Sequence, residues 1–89
     1  MLQVVTTNQF EKDIKTIKKR QKKIDKLMVV LEILANQKEL PEKYCNHKLK
    51  GEFVGRFECH IEPDWLLIYA INENILKLER TGSHSDLFK

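Results

Sequence analysis

Two runs in the C-terminal half, "PDWLLIYAI" and "ILKLERT", are separated only by residues 72–74, Asn72, Glu73 and Asn74. A parallel crossover needs a dozen or more residues, so runs this close in sequence are committed to an antiparallel hairpin. That hairpin fixes the centre of a sheet. Just upstream, "EFVGRFECHIE" alternates with a period of two and supplies a further strand beginning near Glu52. Alternation places Arg56, Glu58 and His60 on one face and sends Phe57, Cys59 and Ile61 the other way, into the core.

The N-terminal half has a different period. "LQVVT" is a short β-branched run that reads as a strand, and Thr6, Thr7 or Asn8 can cap the helix that follows. Phe10, Ile14 and Ile17 then share one helical face, and Ile24, Leu27, Met28, Leu31 and Leu34 form a second stripe that stops before Pro41. Residues 39–51, "ELPEKYCNHKLKG", have no clear period and read as a loop. The expected order is β-α-α-β-β-β in a single domain spanning residues 1–89. This is an α+β fold with two N-terminal helices packed on one face of a mostly antiparallel sheet and the other face free.

A chain of 89 residues has room for one core but not for separate binding and catalytic domains, so any site must be a surface groove. The net charge of +3 hides a cluster of eight lysines and arginines within residues 12–26, which reads either as a solvated helix face or as a polyanion contact. No apolar run approaches the roughly 20 residues of a membrane span, and the N-terminus lacks a basic segment followed by an apolar one. The expectation is a cytoplasmic protein without membrane contact, in which Cys45 and Cys59 stay reduced.

The polar chemistry gathers in the second half, at His47, His60, His84, Asp64, Glu58, Arg56 and Arg80. Cys59 and His60 are neighbours on a strand and face opposite ways, and "CNH" does not match usual zinc spacings, so no metal site is expected. Acid–base and phosphate chemistry fits better. Imidazole titrates near neutrality, a carboxylate can take a proton, and arginine offers planar paired donors to phosphate. Cleavage of RNA needs only those parts, because the attacking 2′-hydroxyl belongs to the substrate; no cofactor is required. Trp65 stands between two readings, a base-stacking platform and a core residue; Phe88 is open in the same way, while Tyr69 reads as core.

The blocks "LPEKYCNHKLKG", "ECHIEPDWLLIY" and "LERTGSHSDLF" together resemble, in order and spacing, the YafQ-type toxins of the RelE/ParE superfamily, ribonucleases of bacterial toxin–antitoxin pairs. The resemblance implies a RelE-like fold and ribosome-dependent cleavage of translated mRNA, inhibited by a cognate antitoxin. DNA would be met only through the antitoxin complex. It further implies functional roles for His47, His60, Asp64, Trp65, Arg80, His84 and Phe88. On this reading Arg80 binds the scissile phosphate, His84 is the general acid, and His60 with Asp64 and His47 supplies the base and its orientation. One departure stands out: relatives commonly carry arginine two residues after the strand's glycine, whereas here Phe57 holds that place and Arg56 follows Gly55 directly. The shift leaves a substrate contact by Arg56 as an expectation and keeps open an alternative, a non-catalytic module that acts only in a DNA-binding autoregulatory complex with its antitoxin.

Overall fold

The structure, a computed structural model, describes residues 1–51 and 54–88. Strand β1 (Gln3–Thr6) leads into helix α1 (Asn8–Lys19) and helix α2 (Ile24–Ala35). Strands β2 (His47–Lys48), β3 (Phe57–Glu62), β4 (Trp65–Asn72) and β5 (Ile75–Gly82) follow, and a short helix α3 (His84–Leu87) ends the described chain. The hairpin expected around residues 72–74 is present as the antiparallel β4–β5 pair, with Asn72 opposite Ile75. The sheet order is β1-β5-β4-β3-β2; β1 pairs in parallel with β5, and the other pairs among the described residues are antiparallel.

Helix α1 starts where the sequence allows. The Thr7 hydroxyl accepts the Phe10 N–H at 3.0 Å and donates to the Glu79 carbonyl at 2.8 Å, so one side chain both caps the helix and ties it to β5. Phe10 and Ile17 are buried against the sheet as expected. In α2 the stripe is rotated from the predicted one: Leu27, Val30 and Leu34 are buried, while Met28 is 55% exposed. The period was legible, but a stripe of i, i+3 and i+7 can be drawn through either residue in so apolar a helix.

Two further differences shape the site. Residues 39–51 contain a 3-10 turn (Glu42–Tyr44) and β2, whose two residues are too few for a period to show. The expected beginning of β3 at Glu52 and Phe53 lies outside the described residues; Val54 and Gly55 form a turn and the strand starts at Phe57. The sheet face opposite the helices is also not bare. Leu66, Ile68 and Leu87 form a second small core there, with Leu49 against it, which explains why β4 is buried on both faces and reads as a continuous apolar run. Cys45 is exposed and Cys59 buried, both as free thiols, and desolvation pushes the Cys59 thiol up to about 12.

Candidate active site

The predicted alternation of β3 holds: Glu58 and His60 project on the face away from the helices, and Cys59 and Ile61 enter the main core. Strand β2 pairs with β3 so that His47 lies opposite Glu58. One carboxylate oxygen of Glu58, a side chain only 7% exposed, is 3.4 Å from His47 Nε2 and 3.5 Å from His60 Nε2. The Nδ1 of His47 is 2.7 Å from the Cys45 carbonyl, which can only accept, so Nδ1 carries a proton and Nε2 is the atom turned to Glu58.

His84, the first residue of α3, completes the row. Its ring centroid is 5.9 Å from that of His60, which in turn is 6.5 Å from that of His47. A single Asp64 oxygen accepts both the His84 backbone N–H at 3.0 Å and His84 Nδ1–H at 2.9 Å. These two donors, the backbone one first, hold the Asp64 carboxyl below its ordinary range even though it is solvent-exposed. An ionised Asp64 fixes the His84 tautomer with Nδ1 protonated, which leaves Nε2 outside this contact. Phe88, 41% exposed, has its ring 6.4 Å from His84.

Helix α3 is too short to hold itself. Ser83 and Asp86 form a reciprocal capping box, and Arg20 at the end of α1 makes a paired contact to Asp86 at 2.7 and 3.1 Å. Gly82 has φ +154°, and a Cβ there would lie 2.8 Å from Asp86 Oδ2, so glycine makes room for the clamp. The Arg20 contact, followed by the Ser83 N–H, holds the Asp86 carboxyl far below the usual range. A carboxyl depressed in the folded state contributes stability that is full above its unfolded value, near pH 4, and is lost as pH falls through its lower folded value. Acid titration followed by the His84 backbone amide signal should therefore show α3 intact at pH 4 and loosening below that. Loosening that began above pH 5 would exclude Asp86 as its cause.

Arg80 is held from α1. Beyond Leu78 β5 has no β1 partner, and Asp13 takes its place: Oδ2 accepts Arg80 Nε at 2.8 Å and the Thr81 N–H at 3.1 Å, while Oδ1 accepts Arg80 Nη2 at 3.2 Å. The guanidinium keeps Nη1 uncommitted by these bonds, stays 28% exposed, and shares a small cavity with Asp86. Two expected substrate contacts need correction. Trp65 is 1% exposed, sits in the main core and donates Nε1–H to Thr81 at 2.9 Å, so neither ring face is open to a base. Arg56 lies before β3, with Nε 3.2 Å from Glu79, and lines a separate cavity with Val5, Ile75 and Lys77 rather than joining the histidines.

Sequence reasoning grouped Glu58 with His60 but gave it no role in the site, and it passed over Asp13 and Asp86. Asp13 was marked by an acidic residue inside the Phe10–Ile14–Ile17 stripe, and Asp86 by the Ser-x-x-Asp capping pattern. Among the described residues, no group of three or more His, Cys, Asp or Glu is arranged to hold a metal ion.

A family model described as "Bacterial toxin of type II toxin-antitoxin system, YafQ" matches residues 2–89. The mRNA interferase toxin YafQ of Escherichia coli K12 is 41% identical over 83 residues, covering 92% of this chain and 90% of that protein. Among solved structures, the E. coli DinJ-YafQ complex matches with a TM-score of 0.91 at 38% identity, covering 100% of both chains. A metal-bound toxin from Helicobacter pylori matches with a TM-score of 0.93 at 43% identity, covering 99% of this chain and 100% of that one.

Proposed function

Because this chain belongs to the YafQ family of bacterial type II toxins, we propose that it is an mRNA interferase: an endoribonuclease that cleaves translated mRNA on the ribosome and is silenced by a cognate antitoxin. The observation that carries the reading is the row of three imidazoles, His47, His60 and His84, with ring centroids 6.5 and 5.9 Å apart and a carboxylate braced against each end.

In the reaction the ribose 2′-oxygen forms a bond to phosphorus and the bond from phosphorus to the 5′-oxygen breaks. His60, with Glu58 and His47 behind it, takes the 2′-hydroxyl proton. His84 gives a proton from Nε2 to the departing 5′-oxygen, and Asp64 steadies the ring. Arg80, oriented by Asp13, offers Nη1 to the phosphorane oxygens as charge builds there. The products are a 2′,3′-cyclic phosphate and a 5′-hydroxyl. Phe88 beside His84 is placed to pack on a flanking base. The exposed lysines of α1 fit docking on ribosomal RNA, and the reaction would take place in the cytoplasm, where ribosomes are.

Mapping 5′ ends on a translated reporter mRNA tests this. Induction of the wild-type chain should produce cuts at a fixed codon position, with 2′,3′-cyclic phosphate on the upstream fragments, and His84→Ala should abolish them. Antitoxin binding without any cuts would leave the non-catalytic module in possession.

A further inference from the structure

A groove of 480 Å³ opens beside His60, between β3, the turn at Glu42–Tyr44 and the start of α2. Its volume falls in the range of about 300–1,000 Å³ typical of small-molecule sites. Tyr44, Ile61 and Pro63 give it apolar walls, and Lys26 and Lys43 stand at its rim. Glu62 also lines it, but its carboxylate is bound by Lys22 at 2.9 Å and Lys26 at 2.7 Å, so the rim remains cationic overall. Lys43 Nζ lies 5.1 Å over the Tyr44 ring, which places a cation and an aromatic face at one spot.

Resting on the ribonuclease reading, we propose that this groove is the subsite for the nucleotide adjoining the scissile phosphate, with its base against Tyr44 and its phosphate between Lys26 and Lys43. His60 lines the groove and belongs to the histidine row, so a nucleotide in the groove would lie directly beside RNA held at His60. An aromatic side chain with lysines against it is a combination that single-stranded RNA engages by stacking and phosphate contact, the mobile Lys43 side chain moving from the ring to the phosphate. Apart from His60, none of the residues lining the groove takes part in the bond-breaking step, so the contribution of Lys26, Lys43 and Tyr44 is to hold and select.

Two measurements test it. On programmed ribosomes, Lys43→Ala and Tyr44→Ala should each lower kcat/KM about tenfold. Tyr44→Ala should also relax base preference at one position beside the cut, and Tyr44→Phe should restore it. Cys45 lines the groove and is exposed while Cys59 is buried, so maleimide labelling of Cys45 reports occupancy without reference to chemistry. In the His84→Ala chain, ribosomes carrying mRNA should slow that labelling several-fold relative to ribosomes without mRNA.

A wild-type chain that cuts, with unchanged kcat/KM and base preference in both groove variants, would overturn the subsite and leave the ribonuclease reading standing. Protection of Cys45 by antitoxin but not by mRNA would assign the groove to the antitoxin instead. Absence of cutting by the wild type would remove both readings together.

Discussion

Trp65→Ala is expected to lower stability by about 3–5 kcal/mol, the largest effect of any single side chain in the site region. The indole is 1% exposed within the main core and its Nε1–H is spent on Thr81. For a chain of 89 residues, total stability is about 5–13 kcal/mol. The loss is therefore a large fraction of the whole, and the thermal midpoint should fall by roughly 12–40 °C. Trp65→Phe, which keeps most of the buried area, should lose far less. A base-stacking role makes the opposite prediction: an unchanged midpoint and weaker RNA binding in the alanine variant. Thermal melts of the purified variants decide between them.

His84→Ala should leave the fold alone and lower the cleavage rate about 10²- to 10⁴-fold, the usual contribution of a positioned general acid. Its imidazole is exposed and contacts an exposed carboxylate, so little burial is lost with it. The partners should grade in order of their distance from the chemistry. Asp64→Asn keeps an acceptor for the His84 N–H but gives up the charge that fixes the tautomer, and should lose less than His84→Ala. Glu58→Gln keeps the shape between His47 and His60 without the negative charge and should also lose less. Single-turnover rates on programmed ribosomes, with melts alongside, check the series. Equal losses in all three, accompanied by lowered midpoints, would mean that the carboxylates serve folding alone.

The fold was legible where periods are long and connections short. The β4–β5 hairpin, the alternation of β3 and the two amphipathic helices each follow from spacing that a local physical rule interprets. β2 and α3 escaped because two and four residues hold no period. The small core on the far sheet face escaped because an apolar run does not say which neighbour covers it. For the site, the residue types were legible and the pairings were not. Nothing local connects Asp13 with Arg80, 67 positions away, or Arg20 with Asp86, 66 away. Trp65 follows a polar turn and so reads as half-exposed, yet it enters the sheet on the helix-covered face and is buried at once.

Those pairings support the proposed chemistry. A histidine on a four-residue helix would wander without Arg20, Asp86 and Gly82 to fix it, and an arginine on the stretch of β5 that runs past its β1 partner would turn to water without Asp13. The ordering of the two side chains comes from α1 and its C-terminal cap, which accounts for an acidic residue, Asp13, on the helix's buried stripe.

The pH dependence of the single-turnover cleavage rate on saturating programmed ribosomes tests the histidine row most directly. Acid–base catalysis by imidazoles predicts a bell-shaped profile with both limbs inside about pH 5 to 9, and the loss of the limb that reports the acid in His84→Ala. A rate that is flat across that range in the wild type, or a profile unchanged in shape by the substitution, would contradict the account.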